Sequence, residues 1–338
     1  MAEERAAPRA TLAAIARAAG VSVPTVSKVV NGRADVAPET RERVANLLAG
    51  HGYVARGPGG ARPERRSVAL VFDAMRAMNN LETLRGVLEA AADGGVDVVV
   101  DVVPDDPLGA RWARRMTAGG RAGVILVTSG ITGQQWRHFT EQRLPIVMID
   151  PVNLPGPEVP SVGASNFNGG MAATEHLLEL GHRRVGFIEG PPASMMSIAR
   201  LHGYRAALSR AGIAADPELT IAADFSFDGG FAAATRLLAR EPRPTAIFAS
   251  NDLQAFGAIE AARILGLRIP EDLSIAGFDD TPAAQWSAPP LTSVRQPFAE
   301  MGRVAMRSLL RLADGGELES PRVELATRLI VRKSTARI

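Results

Sequence analysis

The sequence predicts a large α/β domain preceded by a small all-α unit, and three observations lead there. From Ser67 onward, short β-branched apolar runs alternate with helix-like stretches, the pattern of βαβ units and parallel sheets. Before that point, apolar residues recur at helical spacing only. Between the two, residues 56–66 read Arg-Gly-Pro-Gly-Gly-Ala-Arg-Pro-Glu-Arg-Arg, where glycine, proline and charge replace any hydrophobic period. The expected organisation is therefore a headpiece at 1–55, a linker at 56–66 and a large domain at 67–338.

In the headpiece, Thr11 is placed to cap a helix that runs from Leu12 and stops at Gly20. Ser22 caps a second helix over 23–30, with Pro24 in its first turn, where a missing N–H costs little. Asn31-Gly32 ends it. A third helix is expected from Pro38 to about Ala49, with Val44, Leu47 and Leu48 on its apolar face. In the large domain, strands are expected at 68–72, 96–103, 124–127, 146–149, 185–188, 245–249 and 274–277. Most are continuous apolar runs, as suits a sheet covered on both faces. Helices are expected at 81–92, 171–180, 201–211, 230–239, 253–265 and 300–312. The segment Gly181-His182-Arg183-Arg184 restarts the pattern midway, which implies two similar α/β subdomains with a cleft between them.

Composition narrows the function classes. Apolar residues make up 46% of the 338 residues, so the chain is globular rather than disordered. No apolar run reaches the ~18 residues of a membrane span, and the charged N-terminus lacks the apolar core of a secretory signal. There are no cysteines, which excludes disulfides and thiolate zinc sites and fits a reducing, cytoplasmic compartment. The net charge of +2 is unevenly spread: residues 1–66 carry 11 Arg and Lys against 6 Asp and Glu, and the remainder is net acidic. A basic end on an acidic body suits a polyanionic partner.

The stretch from Thr11 to Gly32 describes two short helices joined by a tight turn. Small Ala16 and Ala19 permit close approach, Ile15, Val21, Val26 and Val30 form the shared core, and Thr25, Ser27 and Lys28 face outward. Such a second helix fits a DNA major groove about 12 Å wide, its N-terminal residues nearest the bases. Hydroxyls and backbone N–H groups at helix starts suit phosphate oxygens. The residues Ala19-Gly20-Val21-Ser22, Thr25-Val26-Ser27, Asn31-Gly32, Thr40-Arg41, Val44 and Gly52-Tyr53 resemble the headpiece of the LacI/GalR family of bacterial repressors. The resemblance places base-reading side chains at Val23, Pro24 and Lys28, and phosphate contacts at Ser22, Thr25, Ser27, Asn31 and Thr40. Two positions depart from it. Ala14 stands where the family has an acidic residue. The linker lacks the leucine that the family's hinge helix inserts into the minor groove, and its glycines and prolines oppose helix by ~1 and ~3 kcal/mol each. The hinge helix is therefore expected to be absent or very short, with Arg56, Arg62, Arg65 and Arg66 left to reach the minor groove or phosphates.

The resemblance continues through the large domain, at Gly169-Gly170 to His176-Leu177, Gly181 to Gly186, Arg200 to Tyr204, Ser250-Asn251-Asp252 and Gly277 to Asp280. It implies the type I periplasmic-binding-protein fold: two Rossmann-like subdomains joined by three crossings, one at about 67–164 and 294–323, the other at about 165–293 and 324–338, with a C-terminal strand near 328–332. Ligands of such folds sit at the carboxyl ends of the strands, and the sequence sets polar residues there: Asp73, Thr128-Ser129, Asp150, Asn251-Asp252 and Asp279. Asp, Asn and Arg supply the paired acceptors and forked donors that sugar hydroxyls need, and Phe225, Phe227 and Trp286 are candidate walls. The resemblance marks Arg200, Asn251 and Asp279 first as effector-binding, then Asn166 and Phe225, then Asp73, Asn79, Ser129 and Asp150. Asn251 and Asp252 also read as caps of the next helix.

No catalytic motif is found: no nucleophile elbow, no P-loop, and no metal-like pairing among His51, His138, His176, His182 and His202. Neither a cofactor nor a metal is expected. The family implies a homodimer on a palindromic operator, repressing carbohydrate-use genes and released by a mono- or oligosaccharide effector. No leucine heptad follows the last strand, so a tetramer of the lac repressor kind is not expected. The competing expectations are a nucleobase-type corepressor on the same fold and, from other classes, a solute-binding protein or a sugar-active enzyme.

Overall fold

The computed structural model describes residues 11–30, 33, 35–50, 66–73, 79–103, 108–154 and 156–338. The chain divides into two compact units between Arg65 and Arg66. The N-terminal unit holds three helices, α1 (Leu12–Ala19), α2 (Val23–Val30) and α3 (Pro38–Gly50). Thr11 caps α1 by accepting the Ala14 N–H, and Gly20 ends it in the left-handed region at φ 67°, where a Cβ would add strain. Ser22 accepts the Thr25 N–H and so opens α2. The axes of α1 and α2 meet at 105°, the angle of a helix-turn-helix. Ile15, Ala16, Ala19, Val26, Val44 and Leu48 are buried together, and Val21 and Val30 pack half-exposed at the rim. Residues 56–65 of the linker, and with them the missing hinge helix, lie outside the described residues; Arg66 opens the larger unit and donates to Asp314 Oδ1 at 2.5 Å, so it is not left over for DNA as expected.

The larger unit is built on two six-stranded sheets. The first contains β1 (Ser67–Phe72), β2 (Asp97–Val102), β3 (Arg121–Val127), β4 (Ile146–Ile149), β5 (Ser161–Ala164) and, from late in the chain, β11 (Arg322–Leu325). The second contains β6 (Val185–Glu189), β7 (Thr220–Ala222), β8 (Ala246–Ala249), β9 (Ser274–Asp279), β10 (Thr292–Arg295) and β12 (Arg328–Ile330). The orders are β11-β5-β4-β3-β1-β2 and β12-β10-β9-β8-β6-β7, the same doubly wound arrangement twice. Every pairing is parallel except β10 with β12. Helices α4 (Asn80–Asp93), α5 (Ala110–Ala118), α6 (Gly133–Glu141) and α12 (Phe298–Ala313) cover the first sheet. Helices α7 (Asn166–Glu179), α8 (Met195–Arg210), α9 (Phe227–Leu238) and α10 (Asp252–Ile264) cover the second, and a short α11 (Pro282–Trp286) follows β9. Each sheet is thus apolar on both faces, and each fully buried Val, Ile or Leu contributes ~1.5–3 kcal/mol. The edge strand β2 is the exception, with Val99, Val100 and Val102 exposed.

The chain crosses between subdomains three times: after β5 into α7, after β10 into α12, and between β11 and β12. The last two crossings follow Arg295 and Leu325, two residues beyond the approximate boundaries read from sequence. Ser165 ties the first crossing to the third, donating its N–H to Leu325 O at 2.9 Å and accepting the Thr327 hydroxyl at 3.3 Å.

Three helix pairs meet backbone to backbone through facing glycines. On α4 and α12, a Cβ at Gly86 would lie 1.8 Å from Ala299 O, and one at Gly302 would lie 2.4 Å from Thr83 O. On α7 and α8, a Cβ at Gly170 would lie 2.5 Å from Arg200 O, and one at Gly203 would lie 2.2 Å from Phe167 O. On α9 and α10 the same holds for Gly230 against Gln254 and Gly257 against Phe227. Glycine is required here for close approach, and these seams set the height of the residues that α8 and α10 carry into the cleft.

Candidate functional site

In the headpiece, Ser22, Val23 and Pro24 stand exposed at the start of α2, and Lys28 is exposed one turn further on. Val23 is an exposed valine, 43% accessible, which core packing does not explain. Thr25 and Ser27 are half-buried rather than fully outward, and Thr25 shares a 2.8 Å hydroxyl contact with Ser22. Thr40 is half-buried in the first turn of α3. Lys28 Nζ donates to Asp35 Oδ2 at 2.8 Å, and this pairing holds the Asp35 carboxyl below its ordinary value. Arg41 Nη2 donates to Arg33 O at 2.8 Å, anchoring the segment between α2 and α3. Asn31, Arg56 and Arg62 lie outside the described residues.

In the larger unit, the two sets of strand ends enclose a cavity of about 230 Å³. Asp73 follows β1, Thr128 follows β3 and Asp150 follows β4; from the other side come Asn251 after β8 and Asp279 at the end of β9. Thr128, Asp150, Asp279 and Asp280 all have positive φ, at 50°, 44°, 105° and 53°. Left-handed backbone at a non-glycine costs ~1–3 kcal/mol, so the strand ends are strained where they face the cleft. Asn251 has two tasks: its Oδ1 accepts the Gln254 N–H at 2.9 Å as the cap of α10, and its Nδ2 donates to Phe225 O at 3.4 Å. The cap reading and the pocket position hold together.

Arg200, on α8, is the single cation among the described lining residues. It is buried, and its guanidinium lies 3.8 Å from the Phe278 ring centre and 5.8 Å from that of Phe225. Its Nε donates to Asn166 Oδ1 at 2.8 Å and its Nη1 to Ser250 O at 2.5 Å, while Nη2 stands 3.9 Å from Asp279 Oδ1. Burial pulls the guanidinium below its ordinary value, and the charges of Asp279, Asp150 and Asp252 push it back. Burial raises the Asp150 carboxyl to about 7, against the opposing pull of Arg200. Asp279 is also raised by burial, with Arg200 and the Gln296 amide pulling it down. Asp252 is raised by burial and by the Asp279 charge, although Thr281 N, Thr281 Oγ1 and Ser293 Oγ donate to it at 2.7, 2.8 and 2.6 Å.

Of the ten effector candidates, Asp73, Asn79, Asp150, Arg200, Phe225, Asn251 and Asp279 line this cavity. Ser129, Asn166 and Trp286 do not. Ser129 is buried, its hydroxyl donated to Val127 O at 3.1 Å. Asn166 is buried behind Arg200, with Nδ2 donated to Ala164 O, so it orients the guanidinium rather than facing the space. Trp286 ends α11 at 78% exposure, and Phe227 is likewise exposed outside the cavity; neither forms the expected wall. The apolar walls are instead Phe72, Val127, Met196, Phe225 and Leu253. Met196 carries a readable signal, since it stands four residues before Arg200 on one helix face. Gln296 was missed because it sits in a crossing after a short, mixed strand; its Nε2 donates to Asp279 Oδ1 at 2.6 Å.

Comparison with known proteins agrees with this geometry. Residues 11–55 match the bacterial regulatory proteins of the lacI family, and residues 174–335 match the periplasmic binding protein-like domain. The HTH-type transcriptional regulator CelR of Thermobifida fusca is 35% identical, over 96% of this chain and 98% of its own length. The solved complex of CelR with cellobiose covers 96% of this chain and 100% of its own, at TM-score 0.73 and 35% identity. The lac repressor dimer bound to operator and the anti-inducer ONPF is 27% identical, covers 97% of this chain and 100% of its own, and has TM-score 0.74. By sequence along nearly its whole length and by fold, the chain belongs to the LacI family of DNA-binding transcriptional regulators.

Proposed function

We propose that the chain is a homodimeric repressor of carbohydrate-use genes that leaves a palindromic operator when a sugar enters the cleft. The carrying observation is the cavity: Asp73, Asp150, Asn251 and Asp279 converge from opposing strand ends around one oriented guanidinium, with aromatic and aliphatic walls. Such a set suits the hydroxyls and apolar face of a sugar. That the related CelR was solved with cellobiose supports the same ligand class here. In the headpiece, Val23, Pro24 and Lys28 read bases, while Ser22, Thr25, Ser27 and Thr40 meet phosphates. Two headpieces ~34 Å apart double the base contacts and set the operator spacing. The exposed valines of β2 offer apolar edge that a second copy would cover.

The effector bridges the two subdomains, changes their mutual angle and thereby the headpiece spacing. Coupling of this kind is worth ~1–3 kcal/mol and is reciprocal: operator DNA weakens sugar binding by the same factor. Fluorescence anisotropy on a labelled palindrome, with and without cellobiose, glucose and adenine, tests the reading. Release by a sugar supports it. Tightening by adenine replaces it with a corepressor mechanism, and no preference for any duplex over random competitor removes the DNA function.

A further inference from the structure

The cavity offers a ligand more acceptors than donors. Among the described lining residues are four acidic side chains, Asp73, Asp150, Asp252 and Asp279, and the single guanidinium of Arg200. Asp252 is satisfied by Thr281 and Ser293, which leaves three. Arg200 is largely committed, with Nε on Asn166, Nη1 on Ser250 O and one face on Phe278. Two further lining residues carry buried oxygens that receive no donor, Asn79 Oδ1 and Gln296 Oε1, and Gln296 is 5% exposed. Acceptors of this kind call for hydrogen-bond donors on the ligand, because a buried unpaired oxygen costs ~1–3 kcal/mol.

We infer that this site selects an uncharged, hydroxyl-rich molecule and rejects the same molecule once it carries a carboxylate or phosphate. The inference rests on the effector role given to the cleft above. A hydroxyl donates to a carboxylate or amide oxygen and still accepts from Asn251 or a remaining Arg200 N–H. A carboxylate or phosphate adds negative charge without adding donors, and meets Asp150 and Asp279, which are shielded from water, as well as the exposed Asp73. Like charges brought together on binding cost several kcal/mol. The one cation cannot offset this without releasing Asn166, Ser250 O or Asp279.

The test is calorimetry on the full chain at pH 7.5 with matched pairs: glucose against gluconate and glucose 6-phosphate, and cellobiose against cellobionate. The neutral member of a pair is expected to bind, and its acid or phosphate roughly a hundredfold or more weaker. Asp73→Asn, at an exposed position, and Asp150→Asn, at a buried one, each narrow that ratio. Thermal unfolding of both variants reports that they are folded, and the exposed position carries the comparison if the buried one is not. An acid or phosphate bound as tightly as its neutral partner overturns the selectivity and leaves the sugar reading standing. Heat with no member of either series overturns the sugar reading, and the selectivity falls with it.

Discussion

Replacing Arg200 by methionine keeps an unbranched side chain of similar reach and removes the charge. Two charge-assisted hydrogen bonds vanish, to Asn166 Oδ1 at 2.8 Å and Ser250 O at 2.5 Å, each worth ~1.5–3 kcal/mol. Relief from burying a guanidinium offsets part of this, so the net loss is about 3–5 kcal/mol, the usual cost of breaking a buried pair from one side. The loss depends on pH. Asp150 has a folded value of about 7 against an ordinary 3.8, so the folded state holds more protons than the unfolded between those values. Stability contributed by that carboxyl therefore falls as pH rises through the window. Arg200 opposes the upward shift of both Asp150 and Asp279. Without it both carboxyls rise further, and the window extends to higher pH. At pH 5 the variant lacks mainly its hydrogen bonds; at pH 8 it also leaves unpaired carboxylates, and each unit of added shift costs about 1.4 kcal/mol more. The assay is urea unfolding followed by tryptophan fluorescence. All three tryptophans, Trp112, Trp136 and Trp286, belong to the larger unit, so the signal reports that unit alone. An equal deficit at pH 5 and pH 8 would refute the reasoning.

Three further outcomes follow from features outside the carboxylate cluster. Gly203→Ala places a Cβ 2.2 Å from Phe167 O; it is expected to cost ~1–3 kcal/mol in urea unfolding and to weaken sugar binding, because α8 carries Arg200. A variant with wild-type stability and affinity would show that the α7–α8 seam relaxes freely. Lys28→Ala should lose preference for the operator more than total affinity for duplex, read by competition against random DNA; uniform weakening would make Lys28 a phosphate contact. Asp35→Asn frees Lys28 from its 2.8 Å partner and removes a negative charge beside a residue proposed to read bases. Binding to random duplex should tighten, most at low salt, because one charge that repels the polyanion is gone, and unchanged binding would mean that Asp35 lies away from the duplex.

The headpiece was legible because every device in it is local. Thr11, Gly20 and Ser22 act within four residues of themselves, and Ile15, Val26 and Val44 each lie on the apolar side of their own helix. The central strands were legible for a related reason, since strands buried on both faces are continuous apolar runs. Strands β5, β7, β10 and β11 were missed: Ser161–Ala164 and Arg322–Leu325 mix small, polar and apolar residues, and only the tertiary context pairs them. Asp73, Asp150, Asn251 and Asp279 could be read as pocket residues because parallel topology gathers strand ends at one crevice. Topology does not say how a side chain is spent. Ser129 and Asn166 stand at equally good positions and give their polar atoms to the protein. Trp286 looked like a wall because composition cannot tell a ring on a cleft from a ring on the outer surface.

Two of the three crossings hold the charged groups of the cavity, the first from behind and the second from within its lining. Asn166 opens the helix after the first and holds Arg200; Gln296 lies in the second and holds Asp279; Ser165 fastens the first crossing to the third. The recognition groups are therefore mounted on the axle about which the two halves would turn. A molecule small enough for the cavity need not span a wide jaw to bias that rotation, because a small displacement made next to a pivot becomes a large one far from it. Changes at Asn166 or Gln296 should accordingly alter how strongly occupancy is felt by the DNA end, beyond their effect on occupancy itself.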